Sequence, residues 1–330
     1  APMLFVDNRD MHDPSLNLAL EEYILRHLPA DEDYLLFYIN EPSIIIGKNQ
    51  NTLEEINEDY VKEQNIHVVR RLSGGGAVYH DHGNLNYSFI TKDDGESFRN
   101  YRKFTEPVIQ ALRSLGVEAE LSGRNDIQVG ERKISGNAQF ATRGRMFTHG
   151  TLLFQSDITH VASALKANPE KFKSKSTKSI RSRVANISEF LQKPMTVEQF
   201  RSYLLETLYD GHPVEAYELT EADWEGVRKI SEERYRNWEW NYGRSPAFNL
   251  RQVKRLSAGT FDVRLNVEAG RIEQASIYGD FFGTGEVAEL EKLLAGVRYD
   301  QQSVREALSD TGLTPYLGPV SLDEFIELLF

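Results

Sequence analysis

Three contiguous glycines between two predicted strands, with paired arginines just ahead, form the stretch of this chain best suited to hold an anion. The run reads Arg70-Arg71-Leu72-Ser73-Gly74-Gly75-Gly76-Ala77-Val78-Tyr79-His80-Asp81. Without side chains, a phosphate or carboxylate can come close to the backbone, and several N–H groups can turn toward it. Forked guanidinium donors suit the same anions and are expected at the entrance. The contiguous glycines fit neither a P-loop, which ends in Gly-Lys-Ser/Thr, nor a dinucleotide fingerprint. A flexible hairpin is the commoner meaning of three glycines alone. The adjacent arginines and the immediate return to a strand reverse that preference.

A second group lies at Gly123-Arg124-Asn125-Asp126 and Lys133-Ile134-Ser135-Gly136-Asn137-Ala138. Asp126 opens one hairpin strand and could hold Mg²⁺ on a phosphate. Lys133 lies in the next strand and could neutralise an α-phosphate and an acyl oxygen. A lone lysine on a hairpin is ordinarily solvated, but the small Ser135-Gly136 that follows suggests close approach of something to the backbone. His149-Gly150-Thr151 enters an apolar strand. His80 and His82 could share a face, but no third ligand or zinc spacing accompanies them. His80 and His149 therefore read as hydrogen-bonding or packing residues near a site. Between Lys166 and Arg183, six basic residues at Lys171, Lys173, Lys175, Lys178, Arg181 and Arg183 sit among four serines and a threonine. This basic loop is either a solvated linker or a lid that closes over a polyanion.

These residues need a scaffold. Asp13 and Pro14 announce a helix that carries Leu16, Ala19, Leu20, Tyr23 and Ile24 at helical spacing. Strands are expected at 34–39, 43–47, 66–70, 77–79, 85–91, 126–129, 132–135 and 147–155, with Gly130-Glu131 turning a hairpin. Helices are expected at 52–64, 101–115, 196–209 and 221–238. After the turn-rich Asn241-Tyr-Gly-Arg-Ser-Pro246, a hairpin at 260–267 and 271–278 and helices at 287–294, 303–308 and 321–329 make a small second unit. The pattern is α+β, a mixed α/β sheet with flanking helices. It divides into a catalytic domain at 1–243, a linker at 244–250 and a small α+β C-terminal domain at 251–330.

Composition narrows the chemistry. The chain has 330 residues, 40% hydrophobic and 27% charged, enough for a buried core. With no cysteine, disulfides, thiolate metal sites and a cysteine nucleophile are excluded. A net charge of −12 argues against nucleic acid or anionic membrane as a partner. No apolar run approaches the ~20 residues of a membrane span. The opening residues, Ala1 to Asp7, lack the basic stretch and apolar run of a secretory signal. A cytoplasmic protein is expected.

The motifs taken together resemble those of lipoate–protein ligases. The glycine run, Gly83-Asn84, Gly123 to Asp126, Lys133-x-Ser135-Gly136, His149-Gly150-Thr151 and Ser182-Arg183-Val184-x-Asn186 follow the order and spacing of that family. The likeness spans essentially the whole chain, including Ile277 to Phe282 in the C-terminal unit. It implies a catalytic fold shared with biotin ligases and a two-step reaction. Lipoate and MgATP give lipoyl-adenylate and pyrophosphate; the acyl group then passes to a lysine of a lipoyl domain. Implied acceptors are the E2 subunits of 2-oxoacid dehydrogenases, the H protein of glycine cleavage, or both, modified by a monomeric enzyme. Lys133 is the implied catalytic residue. Arg71, Gly75, Gly76, Ala77, Val78, Tyr79, Asn84, Asp126, His149, Gly150 and Arg183 would join it around ATP and lipoyl-AMP, with Mg²⁺ on Asp126. Lipoate would meet Lys133, Ser73 and His80, and its apolar tail would need a slot lined by residues such as Ile44 to Ile46 and Val78. Some family members carry an arginine seven residues after the lysine; here Phe140 stands there. Alternatives are a ligase preferring octanoate or biotin, or a noncatalytic lipoyl- or nucleotide-binding module. An octanoyltransferase working through a cysteine thioester is excluded by the missing cysteine.

Overall fold

The computed structural model describes residues 3–166, 183–243 and 248–330. The basic stretch expected to act as a lid lies mostly outside the described residues, as does most of the expected linker.

An eight-stranded mixed sheet organises the larger part, in the order β11-β1-β2-β6-β10-β9-β8-β7. Its strands are β1 (Leu4–Val6), β2 (Tyr34–Tyr38), β6 (Asn84–Lys92), β7 (Ala119–Ser122), β8 (Asp126–Val129), β9 (Arg132–Thr142), β10 (Arg145–Leu153) and β11 (Ala216–Tyr217). β1 runs parallel to both β2 and β11, and the other neighbours are antiparallel. Strand alternation divides the side chains between two cores. Leu35 and Phe37 face Phe104, Val108 and Leu112 of one helix (Tyr101–Ser114) and Phe200 and Leu204 of another (Val197–Leu208). Tyr34, Leu36 and Tyr38 face the opposite way, toward helix α1 (Pro14–His27). That helix begins where the sequence indicates: the Asp13 carboxylate accepts the Ser15 N–H and Pro14 occupies the first turn.

A second sheet, β4-β3-β5, carries the glycine run between β4 (His67–Arg70) and β5 (Val78–His80), both paired with β3 (Ser43–Ile46). Alternation separates Ile45, in the α1 core, from Ile44 and Ile46, which pack with Ile56, Val61, Tyr79 and Ala164. A third sheet joins β12 (Leu250–Leu256), β13 (Gly259–Glu268) and β14 (Arg271–Gly279). With the helices after it, this sheet encloses a core of its own, running from Ala258 to Leu329.

Two expected helices are broken. Residues 52–64 form Thr52–Glu55 and Glu58–Glu63, because Ile56 between them bridges to Leu165. The stretch at 221–238 runs as a helix from Glu221 to Ile230, then as a π-turn from Ser231 to Tyr235, before a short helix at Trp238–Asn241. β9 extends well past Ser135, and the strands β1, β7, β11 and β12 escaped the sequence reading.

Candidate active site

Neither arginine stands at the entrance of the glycine run: Arg71 holds the run from beneath, and Arg70 braces the segments beside it. Arg70 donates to the carbonyls of Gly47, Lys48 and Gln50 at 3.0, 3.0 and 2.6 Å, to the Trp240 carbonyl at 2.8 Å and to Thr52 Oγ1 at 2.9 Å. Arg71 donates to the Gly74 and Gly76 carbonyls, both at 2.8 Å, to the Ile45 carbonyl at 3.2 Å and to Ser73 Oγ at 3.1 Å. Burial lowers both guanidinium pKa values to about 10, which leaves them charged at neutral pH. Arg70 serves the framework, and Arg71 shapes the loop while its side chain also borders a cavity.

Above this base the loop meets the C-terminal unit. The Gly75 N–H donates to the Phe281 carbonyl at 3.2 Å. Gly75 has a φ of +98°, and a Cβ there would lie 2.8 Å from the Phe282 ring. A side chain is therefore excluded both by the backbone conformation and by the neighbouring ring. The Gly279 N–H donates to the Asn49 carbonyl at 2.8 Å, and Lys48 Nζ reaches the Gly285 carbonyl at 3.3 Å and Glu286 at 3.2 Å. Arg264 pairs with Glu54 across the same junction.

Two cavities with part of their lining in common open on the loop. The larger, about 840 Å³, is bounded by Gly75 to Tyr79, Arg124, Asn125, Asp126, Lys133, Lys166 and Arg183. The C-terminal unit contributes Arg255, Ser257 to Gly259, Asp280 and Phe282. The smaller, about 130 Å³, is a slot among Leu18, Tyr38, Ile45, Arg71, His80, Asn86, Asn137, Ala138 and His149. Gly75 to Val78, Asn125, Lys133, Thr151 and Phe282 border both. A ligand in each cavity would therefore meet the other beside Lys133.

Lys133 is placed by the β8–β9 hairpin and by the returning chain at Val184. Its carbonyl accepts the Ala185 N–H at 2.9 Å, and it bridges in parallel to Val184. The ammonium lies 3.3 Å from Asp126 Oδ1. The small residue at Gly136 has a concrete use: a Cβ there would lie 3.0 Å from Lys133 Nζ. What approaches that backbone is the lysine's own side chain, folded over its neighbour toward the cavity junction.

The slot's far wall holds a buried polar chain. Ser73 Oγ lies 2.6 Å from His149 Nε2, and His149 Nδ1 lies 3.1 Å from each Glu21 oxygen. The sequence spacing contained no argument for a Ser-His-Glu arrangement, yet the fold assembles one. Ser73 is fully buried and borders neither cavity, so it cannot present a nucleophile to a ligand there. Its hydroxyl instead ties His149 to Arg71 and the loop. Glu21 was missed by the sequence reading, although a signal existed. It sits three residues after Leu18 and four before Leu25, on the buried face of α1.

Most sequence-selected residues converge. Gly75, Gly76, Ala77, Val78, Tyr79, Asp126, Lys133 and Arg183 border the larger cavity, and Arg71, His80, His149 and Gly150 border the slot. Ser73 and Asn84 do not reach either. Asn84 is fully buried, with its amide donating to Asn86 Oδ1 at 3.1 Å. Ile45 and Val78 border the slot, whereas Ile44 and Ile46 point away because alternate strand residues take opposite faces. Phe140 is buried against Phe147, ring centroids 5.7 Å apart, with Lys48 Nζ 5.3 Å from its ring centre. Among the described residues no three acidic or histidine side chains gather as a metal cluster.

A family model described as the lipoyl protein ligase A/B catalytic domain matches residues 13–209, and one described as the bacterial lipoate protein ligase C-terminus matches 245–329. The Bacillus subtilis lipoate-protein ligase LplJ is 60% identical, over 99% of this chain and 100% of its own length. Among solved structures, P. falciparum LipL1 in complex with lipoate superposes with a TM-score of 0.77 at 25% identity, covering 94% of this chain and 95% of that one. A lipoate-protein ligase A bound with ATP superposes with a TM-score of 0.62 at 30% identity, covering 73% of this chain and 97% of that one.

Proposed function

The chain belongs to the lipoate–protein ligase family, and from that premise we propose how its residues carry out ATP-dependent lipoylation. The activity has two steps: lipoate and ATP give lipoyl-AMP and pyrophosphate, and the lipoyl group then passes to a lysine of a lipoyl-domain protein. One observation carries the assignment of sites. The larger cavity and the narrow slot share a border at Lys133, beside the glycine loop.

ATP occupies the larger cavity, with its α-phosphate at the shared border. The acyl tail fills the slot among Leu18, Tyr38, Ile45 and Ala138, and the carboxylate points out toward Lys133. A carboxylate oxygen attacks the α-phosphorus, the bond to the β-phosphate oxygen breaks, and pyrophosphate leaves. Anion approaches anion in this step. The Lys133 ammonium offsets the repulsion and stabilises charge gathering on the α-phosphate oxygens. Arg71 acts at one remove, by holding the loop carbonyls of Gly74 and Gly76 so that the loop keeps its shape around the nucleotide. Asp126, one of the carboxylates bordering the larger cavity, would hold Mg²⁺ on the nucleotide there. When bound, Mg²⁺ neutralises part of the polyphosphate charge.

In the second step the acceptor amine attacks the acyl carbon of the mixed anhydride and AMP leaves. The acceptors are lipoyl domains of 2-oxoacid dehydrogenase E2 subunits, glycine cleavage H protein, or both. The protein works as a cytoplasmic monomer; none of its described helices is long and apolar enough to cross a membrane. Lipoate-dependent exchange of labelled pyrophosphate into ATP tests the first step. Exchange that needs no added acid, or none with lipoate, would overturn the reading.

A further inference from the structure

A directed chain of amides fixes the protonation of one residue in the acyl slot. The Asp10 backbone N–H can only donate, and it reaches Asn8 Oδ1 at 3.2 Å. Asn8 Nδ2 then donates to Asn17 Oδ1 at 2.9 Å, and Asn17 Nδ2 to Asn40 Oδ1 at 2.8 Å. The Met11 carbonyl, which can only accept, takes Asn8 Nδ2 at 3.2 Å and Asn17 Nδ2 at 3.0 Å, confirming the same sense. Asn40 Nδ2 is left to donate to His80 Nδ1 at 3.0 Å. The neutral imidazole therefore carries its proton on Nε2. Burial, then the charge of Arg71, lowers the His80 pKa to about 3, so the ring stays neutral across the working range.

That Nε2–H has no partner among the described residues, and the residue is 3% exposed. Asn86 Nδ2 is in the same position: its Oδ1 accepts from Asn84, its amide nitrogen is unpaired, and the residue is 2% exposed. His80 and Asn86 both border the slot, and neither borders the nucleotide cavity. Lys133 and Thr151 are among the residues that border both, and the reading above sets the reacting carboxylate beside Lys133. The two unpaired donors are thus offered to the acyl tail.

We propose that His80 Nε2–H and the Asn86 amide make the slot select a tail carrying hydrogen-bond acceptors, the dithiolane ring of lipoate, over a saturated tail of similar shape. The inference rests on the acyl-slot reading above. Water can pair with these donors while the slot is open. A hydrocarbon tail expels that water and leaves the donors buried and unsatisfied, which disfavours its binding. Ring sulfurs are weak acceptors but remove that penalty.

The test compares pyrophosphate exchange with lipoate, with octanoate, and with the carbocyclic analogue, a pentanoate bearing a terminal cyclopentyl ring. The analogue keeps the carboxylate and the ring shape and lacks only sulfur. Wild-type enzyme is expected to favour lipoate over the analogue by about tenfold or more in kcat/KM. In Asn86→Ala and His80→Phe the lipoate-to-analogue ratio should fall to about twofold or less, and His80→Gln, whose amide can supply a donor near Nε2, should restore part of it. Melting curves report whether each variant is folded, and Asn86→Ala leaves the Asn40–His80 chain untouched should His80→Phe disturb it. Equal use of lipoate and the analogue by wild type would overturn the proposal, as would variants that depress all three acids alike, because the donors would then serve the shared carboxylate. Either result leaves acid-dependent exchange intact and so the ligase reading standing; absence of exchange with every acid would overturn both.

Discussion

Replacing Lys133 with alanine separates catalysis from folding in this site. The Lys133 and Asp126 side chains are 39% and 37% exposed and lie 3.3 Å apart. A pair so open to water contributes roughly 0.2–1 kcal/mol to stability. The Lys133 carbonyl bond from Ala185 belongs to the backbone and survives the change. The melting temperature of Lys133→Ala should therefore fall by less than about 4 °C. Adenylation should fall far more. Losing one preorganised charged donor at a reacting centre costs about 3–4 kcal/mol of transition-state stabilisation, a rate loss of roughly 10²–10³. The assay is initial-rate pyrophosphate exchange at saturating lipoate and MgATP, with melting curves run on the same preparations. A folded Lys133→Ala enzyme within about tenfold of wild type would refute the role given to this lysine.

Three further perturbations follow from the same geometry. Gly75→Val should weaken ATP binding by titration calorimetry while circular dichroism stays near wild type, because φ is +98° and the Phe282 ring lies 2.8 Å from the added Cβ; unchanged affinity would contradict the close packing argued for the loop. Arg70→Met should lower the melting temperature by more than Lys133→Ala does, since the Gly47, Gln50 and Trp240 carbonyls would lose their charged donor; a stability equal to wild type would mean these contacts contribute little. Burial raises the Glu291 pKa to about 7 from an ordinary carboxyl value of 4.5. The folded state therefore holds the proton more tightly, and this group's contribution to stability is lost as pH rises from 4.5 through 7. Glu291→Gln should melt higher than wild type at pH 8 and lose that advantage by pH 5, and a difference independent of pH would count against the shift.

Local signals were legible where one residue decides one feature. Asp13 and Pro14 start α1 as their chemistry requires, and Ala269 and Gly270, both at positive φ, turn the β13–β14 hairpin. The motif residues that border the cavities are the ones whose spacing stood out, above all Gly75 to Tyr79, Asp126 and Lys133. What could not be read was convergence across long sequence separation. Arg70 and Arg71 look like anion ligands in sequence; their acceptors are mainly backbone carbonyls from β3 and the turn after it, the glycine loop and Trp240, and only the folded chain brings those together. Glu21 reaches His149 across 128 positions, and Phe282 reaches Gly75 from the C-terminal unit. Short strands such as β1 and β11 contain too few residues to leave a periodic trace. The break between residues 55 and 58 arises from the pairing of Ile56 with Leu165, invisible in the local pattern.

We propose that the two cavities make and hold a noncovalent acyl-adenylate. With no cysteine, and with Ser73 buried away from both cavities, neither a thioester nor an ester on Ser73 is open to the acyl group. The most direct measurement incubates the enzyme with lipoate and MgATP, desalts it, and adds a lipoyl domain without further ATP. The lipoyl domain should gain the lipoyl mass, while the enzyme, denatured from the same sample, shows its unmodified polypeptide mass. A lipoyl adduct that survives denaturation on the enzyme and is competent for transfer would mean that the acyl group travels covalently.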